Sequence, residues 1–570
     1  MNRRIAFWLT IMLLTGRALF AVDPLGSYID WRFHPPQLQI RDIQGLNKRI
    51  VDGKLHLHIR EFLELVLQNA TDIQLTRLDV LTAANDILSS HAPFDPQLEL
   101  DFTALRSVSP LSFFTLGGIG SSSGTGSIAP PGTGTGSGSA VPGGSQVILP
   151  TTISSLSQSS QAQFTELLPT GQTINATFTT SRSSGDDFLY PALFGSLNVS
   201  VTQHLLQGRT NLQAKGPLQV ARTELLITSE RSEEAIASSI ALAAHQYWNA
   251  IELRDTIRVQ EQSVDLARRS YDRDKKALDL GALAKLDIFQ SETQVAERNR
   301  DLIASRFQYK SSLDAMRHLI GADLTPTLRA TEIVLEDQAA ALPDRSSVLP
   351  FEQALVKALE ARPQARAAQQ QTNVDALNIR VARDSLLPRL DVSVQGGATG
   401  PGFNQMASQT ANPYPGLGST LGQVLAFDYP SYGFAATLNF PFRNSTARAA
   451  LSNSVVNRVH DQYLQRQTQQ GITNDVRQAL NSLDLANASI EAAIRACDLA
   501  RQNVSAEQQK YELGTITAFE VLDSQTRLAS AESALLAAYV SYQQAYIDYQ
   551  RATWMLLDGL GMVVETPRVH

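Results

Sequence analysis

Residues 266–281 and 499–514 repeat one another. Each begins Leu-Ala-Arg and each closes on Leu-Gly, Leu280-Gly281 in the first copy and Leu513-Gly514 in the second. Beyond the glycines, Asp287-Ile288-Phe289-Gln290-Ser291 lies over Glu520-Val521-Leu522-Asp523-Ser524 at the same offset of 233 (499 − 266). A self-match at fixed spacing means one supersecondary unit used twice, so a pseudo-symmetric fold is expected. It points to an assembly of similar stacked pieces and away from an enzyme domain.

The composition, 18% charged and 43% hydrophobic over 570 residues, is that of ordinary folded protein. A net charge of −7 leaves no basic footprint, so nucleic acid is not an expected partner. No stretch approaches the roughly 18 continuous apolar residues of a membrane-spanning helix. At the N-terminus, Arg3-Arg4 precede an apolar run from Ile5 to Leu14, with small residues at Ala18 and Ala21. This pattern predicts a secretory signal peptide over residues 1–21, a hydrophobic N-terminal helix being the plainer alternative. The single cysteine, Cys497, has no partner for an internal disulfide.

From Thr210 to Leu280 the sequence reads as one helix, interrupted only by Pro217. Steps of seven give Ile236, Ala243, Ala250, Ile257, Val264, Tyr271 and Leu278, and the second copy gives Val476, Leu483, Ile490, Cys497, Val504 and Tyr511. Cys497 thus takes the slot of Val264, a small core position. A sustained heptad keeps one seam on a partner helix, as in a left-handed coiled coil. Each rod stops at a glycine, Gly281 or Gly514, and is followed by a returning helix near 287–320 or 520–557.

Four segments alternate with period two: residues 94–103, 197–202, 389–395 and 434–440. Leu98, Leu100 and Phe102, for example, are separated by Glu99 and Asp101. Alternation suits a transmembrane β-strand, with one face to lipid and one to water, and equally an ordinary half-buried sheet. In a membrane, four strands cannot close a barrel and an open edge cannot be left in lipid, so the chain would have to oligomerise. Two copies would give eight strands and three would give twelve; the long hairpins suit the wider ring.

Upstream of the rods the halves also correspond, Leu63 and Leu67 matching Leu355 and Leu359 at an offset of 292. The first half therefore holds 59 more residues (292 − 233), mostly in a Gly/Ser/Thr-rich stretch over 107–185 that reads as a long loop between two strands. The expected organisation is a signal peptide (1–21), an N-terminal extension (22–56) and a first repeat (57–321). A linker (322–348), a second repeat (349–557) and a tail (558–570) complete it.

This order, and the run Tyr511-Glu-Leu-Gly-Thr-Ile-Thr-Ala-Phe-Glu-Val-Leu-Asp523, resemble the TolC-like outer-membrane efflux proteins. Ala92-Pro-Phe-Asp-Pro-Gln-Leu98 and Leu386-Leu-Pro-Arg-Leu390 are similar to family sequence as well, and the likeness covers about residues 55–560. It implies an α+β membrane protein: a homotrimer forming a 12-stranded transmembrane β-barrel in outer-membrane lipid, continued by a periplasmic α-helical tunnel. A periplasmic adaptor and an inner-membrane transporter would deliver cargo to this passive duct, which would have no catalytic residues, cofactor or metal.

Glu520 and Asp523 are three apart and share a helix face. They are either a solvated helix start, favoured by the dipole, or, as the resemblance implies, rings of acid at the tunnel entrance that select cations. The resemblance also implies a latch in which Tyr511 bonds to Asp287, although Tyr511 also fits as the last core knob. Gly281 and Gly514 would mark the tips. A basic latch residue of the family is replaced here by Ile516. His56 and His58 read as surface residues. Three functions fit: an efflux duct for small toxic compounds, a type I polypeptide secretion duct, and a secreted coiled-coil structural or adhesive protein.

Overall fold

The duplication is visible in helix lengths. In chain order the helices are α1 (Ile59–Asn69), α2 (Thr71–Ser89), α3 (Leu212–Asp279), α4 (Lys285–Leu319) and α5 (Phe351–Ala361). They continue as α6 (Pro363–Asp384), α7 (Leu417–Leu425), α8 (Ser445–Glu512), α9 (Ala518–Ala552) and α10 (Leu556–Leu560). Both α3 and α8 have 68 residues, and both α4 and α9 have 35. The offset between copies is 233 at both ends of each pair, while α1 and α5, of 11 residues each, are offset by 292. The structure is a computed structural model that describes residues 45–51, 53–110, 152–185, 191–280, 285–324, 331–343, 345–401 and 416–562, with positions 40 and 329. The expected signal peptide lies outside the described residues.

Each 68-residue rod is about 100 Å long at 1.5 Å per residue. The heptad positions explain why rods of this length hold together. Ile236, Ala243, Ala250 and Val264 are buried on α3, as are Val476, Leu483, Ile490, Cys497 and Val504 on α8. Around α3 and α8 the shorter helices complete a layer. Towards the glycine turns the packing order is α4–α3–α9–α8, and towards the other end it is α2–α3–α6–α8. Both outer edges of this wall carry uncovered apolar side chains: Val456, Tyr463 and Leu485 on α8, and Leu75, Ile303 and Phe307 on α2 and α4.

The strands are β1 (Ile50–Val51), β2 (Lys54–Leu57), β3 (Gln97–Pro110), β4 (Thr152–Leu167), β5 (Gln172–Gly185), β6 (Ala192–His204), β7 (Glu332–Leu335), β8 (Arg389–Gly400) and β9 (Tyr429–Asn439). A small sheet, β1-β2-β7, joins the N-terminal extension to the linker between repeats, with β2 and β7 parallel. It caps the largest core, where Leu57, Phe62, Tyr247 and Trp248 are buried together midway along the wall.

The large sheet has six strands in the order β3-β4-β5-β6-β8-β9, every neighbour antiparallel. This corrects the expectation of four strands. The added pair, β4 and β5, occupies the end of the stretch read as a loop over 107–185 and pairs in register with both neighbours. Rows across the sheet show why these polar segments are strands. Leu98, Phe164, Ala176 and Val199 stand opposite one another, as do Leu100, Ala162, Phe178 and Leu197. The alternate rows are polar, such as Glu99, Gln163, Thr177 and Asn198. Over these rows, nearest the helices, one face is thus apolar and the other hydrophilic.

On the apolar face, α7 lies over β6 and β8. A Cβ added at Gly195 would sit 2.7 Å from Thr420 Cγ2, and one at Gly400 would sit 2.5 Å from the Thr420 carbonyl oxygen. Glycine at these two positions lets the helix rest directly on the strands. Among the described residues no helix is long and apolar enough to cross a membrane.

Candidate functional site at the hairpin tips

The glycine turn that ends α8 is shaped by its backbone. Gly514 has φ +73°, a conformation that L side chains resist, and the Thr515 amide reaches back to the Lys510 carbonyl at 3.0 Å. This Schellman end stops the rod and turns the chain into α9. The matching glycine, Gly281, lies outside the described residues.

Just above this turn, the two hairpins are joined through one buried carboxylate. Asp274 on α3 is only 1% exposed. The Tyr511 hydroxyl, at the end of α8, donates to Asp274 Oδ1 at 3.1 Å, and the Ser291 hydroxyl, on α4, donates to Oδ2. The Arg273 guanidinium lies 4.3 Å from the centre of the Tyr511 ring and 3.6 Å from Asp274 Oδ1. Burial, with the Asp274 charge next in effect, pushes the Tyr511 hydroxyl above its ordinary range, so it stays protonated and remains a donor. The cluster ties α3, α4 and α8 together and is chemically a clasp: one anion, one cation and two neutral donors.

Asp274 is not the partner that the resemblance implied for Tyr511. Asp287 belongs to α4 by backbone, but its side chain lies outside the described residues. A helical side chain leans towards its own N-terminus, which aims Tyr511 back up the rod and onto α3. Sequence reasoning passed over Asp274, Ser291 and Arg273. Ser291 and Ser524 occupy equivalent positions in the two copies, and both are buried, which is the one signal that was available.

The two copies differ at this clasp. An offset of 233 carries Tyr511 onto Leu278 and Asp274 onto Glu507. The second copy therefore has a carboxylate without a tyrosine to meet it, and Glu507 Oε2 is buried without a hydrogen-bond partner.

Glu520 and Asp523 stand in the first two turns of α9. Glu520 is exposed. Asp523 is half-exposed and pairs with Arg527, one turn further on, at 2.8 Å. The two acids therefore differ: one presents a bare charge and the other a neutralised pair. Arg298 on α4 donates to Thr526 Oγ1, a further tie between the hairpins.

The histidines are less isolated than the sequence suggested. His56 Nδ1 lies 2.9 Å from Glu336 Oε1, and His58 bridges Glu336 and Asp337 at 2.7 and 2.9 Å. Asp337 also receives the Ile59 amide and the Tyr247 hydroxyl, each at 2.7 Å. This network pins β2 and β7 to α3. No metal-binding cluster of histidine, cysteine and acidic residues occurs among the described residues. Burial pushes the Cys497 thiol up, consistent with an inert core position.

Residues 354–553 match the family described as outer membrane efflux protein. The chain is 21% identical over 319 residues to the outer membrane protein TolC of Escherichia coli K12, covering 55% of this chain and 60% of that relative. It is 24% identical over 384 residues to the outer membrane efflux protein BepC of Brucella suis, covering 65% and 74%. Crystal structures of CusC share the fold with a TM-score of 0.59 at 16% identity, over 91% of this chain and 95% of that one.

Proposed function

From the premise that this chain belongs to the TolC-like outer-membrane efflux proteins, we propose that three copies form a passive exit duct of a tripartite efflux pump. The barrel lies in the outer membrane and the helical wall reaches into the periplasm. An adaptor and an inner-membrane transporter present small toxic compounds at the hairpin tips. The chain performs no chemistry of its own.

One observation carries this reading: over the rows nearest the helices the six-stranded sheet is apolar on one face and polar on the other, and among the described residues no strand lies beyond β3 or β9. An open edge cannot persist in lipid, so β9 of one copy must pair with β3 of the next. The wall supports the same head-to-tail closure. Its α8 edge lies on the β9 side and its α2/α4 edge on the β3 side, and both expose apolar residues. Three copies of six strands close an 18-stranded barrel, in place of the twelve strands that four per chain would give.

At the other end, the Tyr511–Asp274 clasp holds the two hairpins of each subunit together and acts as the gate. Displacing α8 and α9 from α3 and α4 requires breaking it. Glu520 then supplies the bare acidic ring at the entrance, which favours cations.

The test is reconstitution of the full chain from an outer-membrane fraction. A heat-modifiable trimer with cation-selective single-channel conductance is expected. A monomer that stays in the soluble fraction would exclude the duct in favour of a secreted coiled-coil protein.

A further inference from the structure

Two arginines on the apolar face of the large sheet have no place in the duct. Arg106 on β3 stands opposite Leu156, and Arg182 on β5 stands opposite Gln158. Both therefore share the face of Leu98, Phe164 and Val199, which meets lipid. Neither has an acidic partner among the described residues. In the strand register Arg182 stands two residues nearer the helices than Arg106: Arg106 follows Leu98 by eight residues, and Arg182 follows Ala176, in the row of Leu98, by six. Six to eight residues at about 3.3 Å each, tilted by roughly 40°, climb about 15–20 Å of an apolar band ~25 Å tall. The arginines thus stand in the half of the band far from the helical wall. A lipid-facing arginine costs about 2–4 kcal/mol at mid-membrane but little at the interface, and there it meets headgroups.

Arg182 lines a cavity of ≈ 500 Å³ between the strands and the start of α7, and Arg106 stands outside its lining, two strands away. Phe102, Leu193 and Leu417 form apolar walls, Ser160 and Thr180 add hydroxyls, and Arg182 contributes its charge. By strand spacing the Arg106 and Arg182 backbones are about 12 Å apart, close enough for two long side chains to share one headgroup. Beside the cavity, which Leu417 lines, α7 and the two residues after it carry no charge from Leu417 to Phe427, and Leu417, Leu425 and Phe427 are exposed.

We infer that this cavity on the outward face binds a phosphorylated lipid of the outer leaflet, its phosphate held by Arg182 and Arg106 and its acyl chains lying along Phe102, Leu193 and Leu417. A guanidinium fork matches phosphate geometry, and the apolar walls continue directly into the belt that acyl chains already cover. Free phosphate would use the arginines but leave those walls wet. The site rests on the reading of the sheet as a membrane barrel, and α7 becomes a lipid-seated brace over the seam between the two repeats.

The test uses the purified oligomer in detergent and native mass spectrometry. The probes are bisphosphorylated lipid A, its dephosphorylated form, and inorganic phosphate. Retention of lipid A alone is expected, with Arg182→Gln weakening it about tenfold and Arg106→Gln,Arg182→Gln more. Binding of the dephosphorylated form at equal strength, displacement by inorganic phosphate, or an unchanged double variant would overturn the site. Single-channel conductance of the same preparations separates the two ideas. Loss of the channel in the wild type defeats the duct, whereas an intact channel without lipid selectivity defeats only this site.

Discussion

Tyr511 and Asp274 meet at 3.1 Å although 237 residues separate them, and this contact ties the ends of the two hairpins together. Removing the hydroxyl with Tyr511→Phe keeps the ring under Arg273 and deletes one bond to a charged acceptor, an interaction of about 1.5–3 kcal/mol at most. Partial exposure of the tyrosine reduces that figure. The expected result is a several-fold rise in the open fraction in bilayer recordings, with little change in trimer stability. Asp274→Asn should open the channel further, because it also releases Ser291 and Arg273. A Tyr511→Phe channel that stays as closed as wild type would remove this pair from the gate.

The two entrance acids are expected to separate in selectivity measurements. Glu520→Gln should lower the cation preference and the block by multivalent cations. Asp523→Asn should do less, since Arg527 already offsets that carboxylate. Arg527→Gln should move selectivity the other way, towards cations. Reversal potentials in asymmetric salt report all three, and equal effects of Glu520→Gln and Asp523→Asn would contradict the pairing.

Phe178 and Thr177 are neighbours on β5 that face opposite sides. Lysine at 178 puts a charge in the apolar belt at a cost of about 2–4 kcal/mol, whereas lysine at 177 faces the polar side. Heat-modifiable trimer should fall sharply in Phe178→Lys and persist in Thr177→Lys. The same loss from both would mean that β5 is not a barrel strand.

His58 and Asp337 give the middle of the wall a pH dependence. Donating a hydrogen bond to the Asp337 carboxylate raises the His58 pKa above its ordinary 6.5. Its contribution is therefore complete below about pH 6.5 and fades as pH rises through the raised value. Burial acts against ionisation of Asp337, but its bonds to His58, Tyr247 and the Ile59 amide outweigh this and hold it below its ordinary 3.8. That contribution is present above about pH 4 and is lost as pH falls through the lowered value. His58→Gln should accordingly lower the melting temperature more at about pH 5.5 than at about pH 8.5. A difference that is larger at the higher pH would refute the pairing.

The rods were legible because packing repeats along them. Every seventh residue from Ile236 is apolar, and the copy at 233 residues repeats the signal. The strand pair β4 and β5 was not legible, and its residues explain why. On its outward face β4 carries Leu156, Gln158, Ser160, Ala162 and Phe164, so the apolar alternation is broken at Gln158 and Ser160. Its inward residues, Ser157, Ser159, Gln161 and Gln163, are uncharged and look like linker. Neighbouring strands complete the apolar rows, and a single sequence window cannot show them. The clasp was half legible: Tyr511 stood out, but its partner depends on which way the side chain leans along the rod.

A hairpin leaves and returns at the same end of a sheet, and β4–β5 does so at the end far from the helices; only its turn reaches them, where Asn211 Nδ2 donates to the Leu168 carbonyl at 3.3 Å. Such an element can be spliced into a ring without re-threading anything else. Here it was spliced into only one of the two copies, leaving all four long helices the same length as their counterparts. Bore and stem are therefore set by separate pieces of sequence. In the proposed trimer the circumference of the mouth would grow by half while the stem kept its calibre, so the duct would flare like a trumpet and resistance to flow would stay with the helices.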